Sequence, residues 1–156
     1  LNCYRAGREL LLDAGYTQVS MRMFRASHAP ADDGPVYCCQ EDGMVGLGCG
    51  ARSYTQALHY SSEYAVGATG VRAILADYIA RPATSFDAAH YGVWLNADDQ
   101  RRRYVIQSLL QVDGLPLNAY RARFGADALS DLPELHELPE HGLAMIDGAR
   151  LRLTAE

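Results

Sequence analysis

The chain contains no lysine; all 14 of its basic residues are arginines. Schiff-base chemistry and the phosphate-gripping lysine of a P-loop are therefore excluded from it. Cysteines number only four (Cys3, Cys38, Cys39 and Cys49), and no two form a C-x2-C pair. The side chains of adjacent Cys38 and Cys39 point to opposite faces of an extended strand, so the set does not wrap a zinc ion or a cluster. Buried, reduced thiols and no metal site are expected. No run approaches the roughly 20 apolar residues that span a bilayer, and no basic stretch leads into an apolar core at the N-terminus. A cytoplasmic protein with no membrane partner is the expectation. Acids outnumber arginines 19 to 14, and the excess lies in residues 104–156, which hold 8 acids against 4 arginines. A duplex-binding module needs a basic stripe to neutralise phosphates, so nucleic acid is not an expected partner.

What is present has the balance of a folded protein. The 156 residues are 49% hydrophobic and 21% charged, enough for one ordinary domain or two small ones. Position 1 is Leu, the chain opens in a helical pattern, and it stops without an evident tail. Together these features suggest a piece of a longer protein.

Helical spacing from Tyr4 to Ala14 is followed by Gly15, placed to terminate a helix in the left-handed conformation. Tyr16 to Phe24 alternates and is rich in β-formers, which predicts one strand with Val19, Met21 and Met23 on a shared face. Helix then strand across a single glycine is half of a βαβ unit. Arg25 to Pro35 reads as a loop, Val36 to Gln40 as a short strand, and Glu41-Asp42-Gly43 as a turn. Met44 to Gly48 reads as a buried strand. Leu58 to Tyr60 and Glu63 to Val66 are expected to pair as a hairpin around Ser61-Ser62. Val71 to Ala80 predicts a helix that Arg81-Pro82 ends.

Asn96 caps a predicted helix through Leu110, with Asp98 and Asp99 in its first turn. Elements at Pro116 to Phe124 and Leu132 to His141, each before a glycine, precede a hairpin of Leu143–Ile146 and Arg150–Thr154 around Asp147-Gly148. Leu109, Leu110, Leu115 and Leu117 are core candidates. Three helices and then a hairpin is the order of a winged-helix-like domain. A boundary near Trp94 to Asn96 divides the chain into residues 1–95 and 96–156.

The sharpest local feature is the turn in which Gly46, Gly48 and Gly50 alternate before Ala51. A strand end without side chains admits close approach to the backbone, either by a ligand or by a neighbouring part of the chain. Spacing alone leaves both open, and the dinucleotide fingerprint is not met. The five histidines share no ligand spacing; His28 lies in a loop just beyond a strand. Ser20 and Ser53 lack the histidine-acid arrangement of a nucleophile. In the run Arg101-Arg102-Arg103, four-residue spacing pairs Asp98 with Arg102 and Asp99 with Arg103, as on a solvated helix face.

The succession Leu12-Asp13-Ala14-Gly15-Tyr16-Thr17-Gln18-Val19-Ser20-Met21-Arg22-Met23-Phe24, then a loop, then Val45-Gly46-Leu47-Gly48-Cys49-Gly50-Ala51-Arg52-Ser53-Tyr54, resembles the later part of the oxygen-independent coproporphyrinogen III oxidase-like (HemN-like) radical SAM family. There an AGY-x4-S-x2-F segment precedes G-[LI]-G-x-[GS]-A-x-S. The resemblance continues more loosely through Ala76–Ile79, Leu95–Arg102, Phe124-Gly125 and His141-Gly142-Leu143.

The resemblance implies an α/β fold, the last part of a radical SAM βα barrel, followed by a small α+β winged-helix-like domain. It implies a [4Fe-4S] cluster on a C-x3-C-x2-C motif with S-adenosylmethionine on its open iron. The 5′-deoxyadenosyl radical so formed abstracts hydrogen from a substrate. That motif is absent here, so the cluster ligands belong to sequence outside this chain, which alone would be inactive. By the same resemblance Gly46, Gly48, Gly50 and Ala51 lie near the adenosyl end of the cofactor, and Gln18, Ser20 and Phe24 are substrate-side candidates. The implied partners are the rest of the parent barrel and a small molecule, a tetrapyrrole among the candidates. An incomplete barrel exposes sheet edges and apolar surface, and so favours self-association. The alternative is a non-catalytic binding module: a haem-trafficking relative with His28 or His59 as ligand, or a winged-helix interaction domain.

Overall fold

The computed structural model describes residues 2–30 and 43–154. The readings of Val36 to Gln40 as a strand, of the turn at Glu41-Asp42, of the second part of the loop before them (residues 31–35), and of Cys38 and Cys39 lie outside these residues. The chain divides into two compact units, one of residues 1–33 with 101–156 and one of residues 34–100. Helix and strand are mixed, as in an α/β protein, and every strand pair among the described residues is antiparallel.

In the first unit, helix α1 (Asn2–Asp13) ends as its sequence predicts. Gly15 has φ +81°, and the amides of Gly15 and Tyr16 donate to the carbonyls of Leu12 (2.9 Å) and Leu11 (3.0 Å). Those two bonds satisfy carbonyls the helix would otherwise leave open. The single strand expected over Tyr16 to Phe24 is instead a small hairpin of β1 (Thr17–Gln18) and β2 (Phe24–Arg25), with Thr17 opposite Arg25 and Gln18 opposite Phe24. Ser20 reverses the chain: its Oγ accepts from the amides of Met23 (3.1 Å) and Arg22 (3.3 Å). A hydroxyl competing locally for backbone amides ends a strand that alternation alone would continue. Met21 and Met23 are consequently exposed rather than on a buried face.

The hairpin is joined to the segment after helix α3 (Ala97–Leu109) by backbone bonds. Met21 N–H donates to Leu110 O (2.8 Å), Val112 N–H donates to Val19 O (3.1 Å), and Ser20 bridges Gln111. Asn96 begins α3 as expected: its Oδ1 accepts from Asp99 N–H (2.9 Å), and Asp99 Oδ2 accepts from Asn96 N–H (3.0 Å), a reciprocal capping box.

The C-terminal core is Val105, Leu115, Tyr120, Ala128, Leu132, Leu135, Ala144 and Leu151, with Leu109 and Leu117 packed against it. Around it run β6 (Leu115–Pro116), α4 (Leu117–Phe124), α5 (Ala128–Asp131), a 3-10 turn (Pro133–His136), α6 (Glu137–Glu140), and the hairpin β7 (Ala144–Asp147) and β8 (Arg150–Leu153). The strands form one sheet in the order β6-β8-β7. The helix expected over Leu132 to His141 is broken into a 3-10 turn that opens on Pro133 and a short helix, because Pro139 lacks the amide that a continuous helix would use there. Gly114 turns into β6 at φ +71°, and a Cβ there would lie 2.3 Å from the Leu151 carbonyl. Only glycine fits that approach.

Charges hold the outer face of this core. Buried Tyr120 donates its hydroxyl to Asp131 Oδ2 (3.0 Å), which Arg101 also reaches (3.3 Å). Arg102 pairs with Glu134. The arginine run is therefore used across the domain, and Asp99, expected to pair with Arg103, serves the cap. Asp127 caps α5 through Leu129 N–H (3.0 Å) and takes Arg121 (2.8 Å). The hydrogen bond from Arg121, helped by the Leu129 and Ser130 amides, holds the Asp127 carboxyl below its ordinary 3.8.

The described part of the second unit is a sheet in the order β3 (Ser53–Tyr54), β4 (Leu58–Ser61), β5 (Tyr91–Trp94), with helix α2 (Ala68–Ala80) between β4 and β5 in sequence. Leu58 to Ser61 pairs with Tyr91 to Trp94, Leu58 opposite Trp94, rather than with Glu63 to Val66 as expected. Twenty-nine residues lie between the two true partners, a pairing that adjacency in sequence does not suggest. Met44 makes one bridge to Tyr54, and Val45 and Leu47 are exposed, so the expected buried strand is a single bridge. Helix α2 ends where Arg81 turns extended ahead of Pro82, as predicted. It buries none of its residues.

Candidate functional site

The glycine turn is held from below by serines. Gly46 N–H donates to Ser53 Oγ (3.0 Å), and Gly50 N–H donates to Ser62 Oγ (2.7 Å). Ser61 Oγ donates to Ala51 O (3.1 Å), and Ala51 N–H donates to Gly48 O (3.3 Å). Ser53 is fully buried on β3. In the sequence Ser53 stands out only as a serine without a nucleophile's partners, and Ser61-Ser62 only as a turn. Their structural role was signalled by a serine following the glycine run at Ser53 and by two more within ten residues of it.

The glycines differ in what they require. A Cβ on Gly46 would lie 2.4 Å from the Arg52 carbonyl, so the close approach there is by the chain's own backbone. Gly48 (φ +98°) and Gly50 (φ +76°) need the left-handed region, and nothing lies within 4 Å of where their Cβ atoms would be. The donors of Gly46, Gly50 and Ala51 are spent inside the turn while Gly48 and Gly50 present open backbone. That suits a wall against which a flat group lies, and not a hydrogen-bonding cradle.

Gln18, Ser20 and Phe24 lie together on the β1–β2 hairpin. Gln18 is a bracket to α1: its Oε1 accepts from Arg8 Nε (2.7 Å), and its Nε2 donates to Tyr4 Oη (3.1 Å) and to Ser20 O (3.2 Å). Ser20 is buried and closes the hairpin; Phe24 is half-buried opposite Gln18.

His28 is exposed in the turn after β2, where Ala29 N–H donates to Ala26 O (3.0 Å). His59 is half-buried on β4, its ring centroid 4.4 Å from that of Tyr54. Among the described residues no three of His, Cys, Asp and Glu gather to hold a metal ion. Cys3 stands exposed on α1, contrary to the expected burial, and Cys49 is half-buried in the glycine turn; both are free thiols. A radical SAM cluster requires three clustered thiolates, and neither the sequence spacing nor these cysteines fit it. No helix among the described residues is long and apolar enough to cross a membrane.

Residues 95–156 match the family model described as the HemN C-terminal domain. No curated protein matches the chain. No solved structure does either.

Proposed function

We propose, from the match of residues 95–156 to the HemN C-terminal domain model, that this chain is a C-terminal portion of a HemN-like radical SAM protein and forms barrel wall and cover in an oxidoreductase resembling oxygen-independent coproporphyrinogen III oxidase. The match over 95–156 is the observation that carries the reading. Residues 1–95 supply the last barrel elements on this reading, and 96–156 a winged-helix-like cover. The interleaving of α3, β6, α4 and the later helices with the β7–β8 hairpin supports the second assignment. Exposed Leu47, Val66 and Ile79 support the first, since wall elements lacking their neighbours leave apolar surface uncovered.

S-adenosylmethionine and the [4Fe-4S] cluster would supply the chemistry in the parent protein, with the cluster ligands outside this chain. The chain's own contribution is shape. Open backbone at Gly48 and Gly50, beside Gly46 and Ala51, gives a surface for the adenosyl end of the cofactor. Gln18, Ser20 and Phe24 stand on the preceding hairpin as substrate-side residues, and the substrate is a small molecule of the tetrapyrrole class. A packed wall excludes water and oxygen from a reactive chamber.

Anaerobic reconstitution with iron and sulfide tests the assignment of the ligands. The 156-residue chain is expected to take up no stoichiometric cluster; a full [4Fe-4S] spectrum overturns that claim. The coding sequence upstream of Leu1 tests the parent. A C-x3-C-x2-C motif is expected there, in a longer protein that cleaves S-adenosylmethionine under reducing conditions. A start codon at this point with no such motif before it overturns the reading.

A further inference from the structure

Within the unit of residues 1–33 and 101–156 lies a cleft of about 800 Å³ between α1 and the segment after α3. Its apolar side is formed by Met21, Leu110, Val112 and Leu153, and α1 contributes Arg5 and Arg8. This volume falls in the range of small-molecule pockets, in which apolar walls supply contact and a few polar groups fix orientation. We propose that the cleft binds an amphiphilic monocarboxylate, its apolar body against those four side chains and its carboxylate on Arg5 and Arg8.

The two arginines are three residues apart on one helix, hence on the same face and close enough to share one carboxylate. Gln18 holds Arg8 by its Nε at 2.7 Å, which fixes the guanidinium plane and leaves its terminal nitrogens to face a second group. A guanidinium fork fixed in this way is the side chain best suited to a planar carboxylate. Among the described residues no acid forms an ion pair with Arg5. Glu9 lines the same cleft. Its charge leaves the site one net positive charge, which a single carboxylate neutralises and a dianion would overshoot beside the Glu9 carboxylate. The glycine turn contributes nothing to this cleft, and Gln18, the one residue it shares with the proposed function, enters only as the bracket that holds Arg8.

Calorimetric titration of the 156-residue chain with decanoate, decanol and decyl phosphate, all below micellar concentration, tests it. Decanoate is expected to bind at one per chain, at least tenfold tighter than either of the others. Arg5→Gln, a change at an exposed position, should weaken decanoate about tenfold and leave decanol unchanged, the loss of one charged hydrogen bond. Leu110→Trp should fill the cleft and abolish decanoate binding with the circular dichroism spectrum retained. Equal binding of acid and alcohol overturns the proposal. So does decanoate affinity that survives both Arg5→Gln and Arg8→Gln, which would mean that the ligand sits on exposed apolar residues elsewhere. Tighter binding of decyl phosphate overturns the monoanion assignment.

Discussion

The unit of residues 1–33 and 101–156 closes around eight buried apolar side chains, all drawn from Val105 to Leu151. In the other unit, the described residues bury only Ser53 and Tyr54, and α2 buries nothing. Both have regular helices and paired strands, so hydrogen-bonded secondary structure does not separate them. The difference is a second layer. The β6-β8-β7 sheet has helices against it that complete a core, whereas the apolar residues of 34–100 find no such cover among the described residues. A domain becomes self-sufficient when apolar stripes meet each other, and one unit has reached that condition while the described residues of the other have not.

Substitutions that strike the core should mark this contrast most strongly. Leu115→Ala, at a site with no solvent exposure, is expected to cost about 3 kcal/mol by lost burial and a residual cavity, read as a lowered urea midpoint. Gly114→Ala follows at about 2–3 kcal/mol, because alanine must both adopt φ +71° and push against the Leu151 carbonyl; the same denaturation measurement checks it. A smaller effect is expected from pH. The Asp127 carboxyl sits below 3.8 when folded, so its contribution is fully present above about pH 4 and is lost as pH falls through the lower folded value. Asp127→Asn keeps a capping side chain, loses the Arg121 ion pair, and should flatten that part of the acid limb in a stability-versus-pH series. The smallest effect belongs to the open unit. Ile79→Ala, at an 81% exposed site, should change stability by less than about 0.5 kcal/mol. Ile79→Asp should reduce self-association in sedimentation; a loss of stability comparable to that of Leu115→Ala would erase the contrast.

Legibility in the sequence followed the range of the interaction. Local signals were readable: Gly15 after α1, Asn96 and Asp99 before α3, Gly125 after α4, and Gly148 between β7 and β8 all act within a few residues. Ser20 was not readable, because serine is compatible with a strand until its hydroxyl is seen to bind the Arg22 and Met23 amides. The partner of β4 was hidden by the 29 residues that intervene before β5. At the candidate site, alternating glycines pointed correctly to close backbone approach at Gly46. That the approaching group is Arg52 of the same chain depends on a fold the alternation does not encode.

The backbone bonds between Val19–Met21 and Leu110–Val112 also set an order of events during synthesis. They close a loop of roughly 90 residues, a costly step that local contacts do not help to make. On the ribosome the β1–β2 hairpin emerges before its docking strip and must wait for all of residues 34–100 before that strip leaves the exit tunnel. The interval before Val112 emerges is when a chaperone would have the hairpin to hold.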